Sequence, residues 1–573
     1  MQDNYPFDLG THSMPISTRS AEAQRWFDRG IVWSYNFSHI EARRCFKKVI
    51  ELDPDCPMGY WGVAYAVGPY YNLKWESYSP QGLIDGLAET YHFIQEAQKR
   101  AAHGSDLEQK LIKASVARFP TPNPPAENEA EEAYAAWDKA YLEAMRGVYN
   151  DYPHHNDVCA LTAEALVLPN AWLLWDLENA APAEGTHTAE ALEVLEKAIA
   201  RVEASNEAPH PGLLHFYIHV LEMSPEPERA LAASDTLLNL ITDAAHLIHM
   251  PSHIYILCGQ YQKALEANQK ADIADSKYIE HDPEISIYTI YQLHNLHFQI
   301  YSSMFLGQYE PALKVAERME TSVPIEALSH DHKYLVHYLE GYVGMKVHVL
   351  IRFGKWDEII RHPLPPDPQL YCVTNALWYY AKGVAYAASG DVESAILQQE
   401  KFTEALKLVE PERKVFNNYC IDTLKVGEKM LAGELEYRRE NYDLAFDLLR
   451  ECVDLYDGLN YTEPWSWMQP PRHALGALLM EQGQVDEAAA VYRADLGLDD
   501  TLVRPSQHVD NVWALHGYVE CLEAQGNEAE AKIYRAKLEE AQKVANVEVS
   551  SSCFCRTTHA SQDEYPKGTS SCC

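Results

Sequence analysis

The sequence predicts an all-α fold, a right-handed superhelical solenoid of degenerate helix pairs. Three observations carry that reading. The 34-residue stretch Ala21–Pro54 reads as one complete helix–turn–helix unit. The same turn punctuation returns seven times further along the chain. No segment sustains the period-two alternation that a half-buried strand requires.

In Ala21–Pro54 the first helix carries Trp26, Gly30 and Trp33, and a turn follows at Asn36–Ser38. The second helix holds Ala42, Phe46 and Ile50 before Leu52-Asp53-Pro54 stops it. Small residues where paired helices touch, and large ones filling the gaps, make this a tetratricopeptide-like unit. Downstream, Gly259-Gln260-Tyr261 precedes Ala264 and Gly307-Gln308-Tyr309 precedes Ala312, while Gly354-Lys355-Trp356 opens another amphipathic run. Gly390-Asp391 with Ala395, Asn441-Tyr442 with Ala445, Gly483-Gln484 with Ala488 and Gly526-Asn527 with Ala531 complete the series. Each is a helix end, a tight turn and a new helix whose small residue faces back. The intervals run from the high thirties to about fifty residues, so the repeats are degenerate. The expected organisation is one solenoid over 1–545, with no linker dividing it. An exposed Pro- and Glu-rich loop is expected near 119–132, and a flexible Cys- and Ser-rich tail over 546–573.

Acidic residues outnumber basic ones by 84 to 47, a formal charge of −37. Such a surface repels phosphate backbones and anionic lipid, which argues against nucleic-acid binding. No apolar run approaches the roughly 20 residues that cross a bilayer. Met1 to Gly10 lacks the basic and apolar regions of a signal peptide. Eight of the 12 cysteines stand singly between Cys45 and Cys521, the usage of a reducing compartment, so the expected location is cytoplasmic. The other four lie in the tail. A terminal Cys572-Cys573 can accept lipid, but no polybasic run supplies the second anchoring signal. Capture of a soft metal, or no role, are the other readings of these thiols. No phosphate loop, dinucleotide fingerprint or nucleophile motif is present.

The 25 histidines are unevenly placed. His215-Phe216-Tyr217-Ile218-His219 is followed by Glu222, and positions i, i+4 and i+7 share one helix face. Two imidazoles one turn apart can chelate one ion, and a carboxylate a turn further on can complete or orient the site. In His246-Leu247-Ile248-His249-Met250-Pro251-Ser252-His253, Pro251 suits a first helical turn. That places His249 at a helix mouth and His253 just inside it. First helices of successive repeats line a concave face, where these groups converge. The expected ligands are therefore His215, His219, His249 and His253, for Fe, Cu, Zn or Mn. Glu222, His155 and His294 are expected beside them in catalytic roles, His155 from the His154-His155-Asn156-Asp157 phrase and His294 from His294-Asn295-Leu296-His297. The aromatic and polar stretch Tyr461–Arg472 precedes a helix and adds Glu463 and Arg472. For each of these histidines taken singly, the competing reading is a satisfied core residue.

These phrases resemble a tetratricopeptide-domain family of bacteria and fungi with His-rich motifs. The resemblance rests on Phe27-Asp28-Arg29-Gly30, on Leu52 through Gly62, and on Gly68-Pro69 through Asn72. It continues through His155, Asp157 and Ala163-Glu164-Ala165, and is strongest over His210-Pro211-Gly212, His215 to Glu222, Pro227 to Ala230 and His246 to Tyr255. Glu463-Pro464, Pro470, Arg472 and Tyr492 to Leu496 fit the same pattern, and the Cys-rich tail departs from it. The resemblance implies a helical-repeat fold with a His-lined interior. Fungal members accompany specialised-metabolite pathways, which implies a small-molecule substrate. The expected function is thus a metal-dependent enzyme, performing oxidative or Lewis-acid chemistry on a small organic molecule. The alternative is an interaction scaffold that grips a protein or peptide in its concave face.

Overall fold

The computed structural model describes residues 5–323, 325–328 and 333–557. It is all-α, a succession of antiparallel tetratricopeptide-like helix pairs. Among the described residues the strands are two ribbons of two residues a side, Trp175–Asp176 with Ala181–Pro182 and Lys414–Val415 with Asn418–Tyr419.

The first unit forms as its residues dictate. Helix Ala21–Tyr35 is capped by Ser20, whose side chain accepts from the Ala23 amide, and it pairs with His39–Leu52. Phe46 is the knob of this pair. A Cβ at Gly30 would stand 2.5 Å from its ring, and one at Gly62, on the next helix Pro57–Val67, would clash as badly. Glycine at both positions lets three helices close on one buried aromatic ring.

The downstream punctuation has a backbone cause. Gly259, Gly307, Gly354, Gly390, Gly483 and Gly526 all take φ between +62° and +83°, the left-handed conformation that ends a helix. Before Asn441 the same place is held by Glu440, at φ +64°. One turn into each following helix, Ala264, Ala312, Ala395, Ala445, Ala488 and Ala531 are fully buried against the partner helix.

The chain divides into two compact units, one running to Asn295 with Val503–Pro505, the other comprising Leu296–Leu502 and the residues from Ser506 onward. The boundary at 295/296 falls within helix Ile287–Phe305. The core of the first unit is rich in Phe27, Trp33, Tyr35, Phe46 and Trp61, and that of the second in Trp378, Trp467 and Trp513.

Residues 119–132 are irregular up to a short turn at Glu127–Glu129, and helix Ala130–Asp151 starts beyond it. Residues 546–557, where the sequence suggests a flexible tail begins, are instead packed into the second unit. Arg352 donates to the Ser552 carbonyl at 2.9 Å, and Tyr492 shares a 2.5 Å bond with the Ser552 hydroxyl. Arg556 forks onto Glu520, and Phe554 meets the Trp513 ring edge-on. Cys553 and Cys555 are joined as a disulfide, and the eight other described cysteines are free. Cys572 and Cys573 lie outside the described residues. No helix among the described residues is long and apolar enough to cross a membrane.

Candidate metal centre

The first unit gathers His215, His219, His246, His249, His253 and His294 in its interior. Each is at most 8% exposed, so the histidines sit in an enclosed core and not on an open concave groove.

Helix Pro211–Leu221 is buried along its whole length. His210 caps it by accepting from the Leu213 amide through Nδ1, and Pro211 takes the first-turn position. A Cβ at Gly212 would stand 2.7 Å from the Tyr35 ring. Glycine there brings the helix close enough for His215 Nδ1 to donate to the Tyr35 carbonyl at 2.6 Å. One turn on, His219 Nδ1 meets Glu222 Oε1 at 3.1 Å. The carbonyl holds a proton on His215 Nδ1 and turns its Nε2 inward as a lone pair, and His219 Nε2 likewise has no hydrogen-bond partner.

Helix Ala245–His249 stops at Met250, and Pro251 opens the next, Pro251–Leu257. The break sets His246 and His249 on one side of the first helix and His253 one turn into the second. His246 Nε2 joins those of His215 and His219. The three ligand atoms lie within 4.8 Å of one another, and none has a hydrogen-bond partner. An ion about 2.0–2.1 Å from each nitrogen would set them roughly 3.4 Å apart, so closing the set takes a rotamer-scale movement. His249, His253 and His294 form a second set of the same size.

Phe37 forms the lid of the first set. Its backbone takes φ +55°, and its ring stacks on His219 and His246 at 5.7 and 5.1 Å. Tyr71 packs on His219 at 4.4 Å and Tyr291 stacks on His246 at 5.2 Å. Burial holds the imidazoles neutral, His219 near a pKa of about 3 and His249 near about 4, and this is the form that ligates metal. Burial also raises Glu222 well above the ordinary carboxylate range.

A further cluster, His12, Asp157 and His210, has ligand-like spacing but a different character. Asp157 Oδ1 accepts from His12, His210 and the Tyr35 hydroxyl at 3.0, 3.1 and 2.9 Å. Burial alone would raise this carboxyl, but the His210 and His12 interactions hold it well below its usual range. An oxygen that already accepts three donors is a structural hub. His155 lies beside it, its Nδ1 3.9 Å from Asp157 Oδ2, on the wall of a cavity of about 460 Å³ that His12, His154 and His210 also line.

The four expected ligands are thus all in the interior, divided between two sets. His215 and His219 pair with His246, and His249 and His253 pair with His294. Glu222 bridges between them, and His155 stands with the Asp157 hub. Glu463 and Arg472 belong to the second unit, where Glu463 is buried and Arg472 forks onto Asp457 with two 2.6 Å bonds. His246 was missing from the expected ligands although its i, i+3 relation to His249 is visible in the sequence. Tyr35, Phe37 and Asn268 carried no such signal.

No family model matches this chain, and no curated protein matches it. Solved structures with similar helical arrays include an IFIT1 monomeric mutant, at 12% identity over 81% of this chain and 91% of that one, TM-score 0.31. Ypp1 is similar at 10% identity over 94% and 89%, TM-score 0.36. The Cut9–Hcn1 tetramer of APC/C is similar at 12% over 93% and 95%, TM-score 0.26.

Proposed function

We propose that the interior histidines of the first unit hold a metal ion, and that the protein is a metal-dependent enzyme acting on a small organic molecule. The observation that carries this is the convergence of three partnerless, buried imidazole nitrogens on His215, His219 and His246. An orphaned buried nitrogen costs about 1–3 kcal/mol, and three aimed at one point make a cost that a cation would remove. A three-His set leaves coordination positions for substrate or water, and an ion there would supply Lewis-acid or redox chemistry. The chain's own residues orient the imidazoles through Tyr35 and Glu222. Phe37, Tyr71 and Tyr291 wall the site with aromatic surface suited to an organic substrate. Fe, Cu, Zn and Mn all suit the donors. Elemental analysis of protein purified without a histidine tag tests the reading. Near-stoichiometric metal that is lost in His215→Ala/His246→Ala supports it, and a metal-free chain after reconstitution with each of the four ions sinks it.

The fold also fits a scaffold that binds a protein partner, and one observation favours that second reading. The second unit already grips a segment of its own chain, through Arg352 and Arg438 donating to the Ser552 and Cys555 carbonyls. A chain ending at Ser550 should bind a labelled peptide of residues 551–557 in fluorescence anisotropy. A peptide that fails to bind removes the support for this reading.

A further inference from the structure

We infer that the cavity beside Asp157 is a binding site for a small organic amine, held through its ammonium group. The site lies in the first unit apart from the histidine sets, and it stands whether or not an ion is bound there.

The cavity, about 460 Å³, is of the size that holds small organic molecules. Three segments form most of its wall. They are the stretch from Leu9 to Pro15, the phrase His154-His155-Asn156-Asp157 where helix Asn156–Val167 begins, and Glu207 to Pro211 at the head of helix Pro211–Leu221. The first stretch is tied down on both sides. The Asp8 amide donates to Asp243 Oδ2 at 2.6 Å, and the Met14 amide donates to Asp28 Oδ1 at 3.1 Å. The wall is therefore formed before any ligand arrives, which spares the cost of ordering it.

Charge selects the ligand. Asp157 and Glu207 line the cavity, and no lysine or arginine does. The neighbouring guanidinium of Arg201 is taken up by Asn156 Oδ1 at 2.7 Å and the Pro153 carbonyl at 3.3 Å. Burial opposes a charge on Asp157, yet His210 and His12 hold its carboxyl well below the usual range. The three donors all meet Oδ1, so Oδ2 is the oxygen presented to the cavity. It takes no hydrogen bond among the described residues.

His155 faces that same oxygen. Its Nδ1 stands 3.9 Å from Oδ2, too far for a direct bond, and has no partner of its own. With the ring proton on Nε2, Nδ1 is a second acceptor. One nitrogen carrying several hydrogens bridges two such acceptors with bonds of about 2.8 Å, the length of charge-assisted contacts. An ammonium group does this and brings the charge that Asp157 lacks. An alcohol offers a single hydrogen and leaves one acceptor bare, and a carboxylate offers none and meets a like charge. Leu9, Pro15, Leu240 and Ile241 supply apolar wall for the carbon skeleton.

Isothermal titration calorimetry of the full chain with phenethylamine tests the inference, with phenethyl alcohol and phenylacetate as probes of the same shape. The amine should bind at one site, and the other two at least about 10-fold more weakly, the loss expected when a charge-assisted bond is replaced. His155→Ala changes a helix start that this side chain does not cap, and Ala208→Trp fills the cavity from an exposed position. Each should weaken the amine by a similar factor with helical circular dichroism unchanged. Asp157→Asn should do the same, and if that variant fails to fold the other two decide. Equal affinity for amine and alcohol overturns the inference. So does a chain that binds no amine, or binding that His155→Ala and Ala208→Trp both leave untouched. Binding should also survive His215→Ala/His246→Ala, and its loss there would place the amine at the histidine sets and overturn this site.

Discussion

Replacing His348 with leucine should make the second unit more resistant to acid. His348 is buried in the second unit with the Trp467 ring edge-on at 4.8 Å. Burial, with a smaller contribution from Arg352, pushes its pKa down to about 3. In the unfolded chain an imidazole titrates near 6.5. A basic group whose folded pKa is depressed is neutral in both states above the unfolded value, and there it adds no pH dependence. Below that value the unfolded chain binds the proton and the folded chain does not, so stability falls with pH until the folded pKa is reached. Each pH unit inside that window costs about 1.4 kcal/mol, so going from pH 7 to pH 5 costs about 2 kcal/mol for this one side chain. His348→Leu keeps the volume and removes the proton site. Urea denaturation followed by tryptophan fluorescence at pH 7 and pH 5 should show the wild type losing about 2 kcal/mol more than the variant between the two. Buried Glu340 and Glu434, whose pKa values burial raises, titrate in the opposite sense but are common to both proteins and cancel. The same pH dependence in both proteins would refute the reasoning.

Three further outcomes are expected. Gly30→Ala drives a methyl group into the Phe46 ring and should cost about 1–3 kcal/mol; differential scanning calorimetry should show a lower Tm, with much of the loss recovered in a Phe46→Leu background. Arg472→Lys exchanges a two-pronged contact with Asp457 for a single one and should destabilise the second unit by about 1–2 kcal/mol in urea melts, with metal content unchanged. Phe554→Ala removes the ring that packs on Trp513 and Gly354, so limited proteolysis should cut within residues 546–557 faster than in the wild type while the first unit stays intact.

The repeat pattern was legible because its signals are local. A glycine at positive φ and an alanine a turn later each act within one helix pair, and both survive irregular spacing. Glu440 shows the limit, since a left-handed turn without glycine is visible only through its neighbours, Asn441 and Ala445. The docking of residues 546–557 was not legible. Ser, Thr and Cys composition reads as disorder when taken alone, and the contacts that order this segment come from Arg352, Tyr492, Trp513 and Glu520, at distances along the chain that no local pattern encodes.

The site divides along the same line. Spacing shows that His215 and His219 share a face, and Pro251 marks where the helix holding His249 ends. Spacing does not show which neighbouring helix each face meets. The i, i+4 pairs visible in the sequence, His215 with His219 and His249 with His253, stay together in space, but they fall into two sets and not one, and each takes a third histidine. His246 lies three residues before His249, and its nitrogen joins His215 and His219, while His249 turns to His253 and His294. The turn at Met250–Pro251 lies beyond both, between His249 and His253, which it leaves in one set. Asn268 then settles the tautomer of His249 from a different helix, and Glu222 meets His219 with one oxygen and His253 with the other. Glu222 is thus a positioning residue for both sets, so Glu222→Gln should weaken metal retention at one of them. With Gln, one side-chain oxygen becomes a donor that cannot accept from an Nδ1–H, and one of the two imidazoles loses its orientation. A metal titration of that variant should give affinities about 10–100-fold weaker than those of the wild type. Unchanged affinity would show that the carboxylate only fills space.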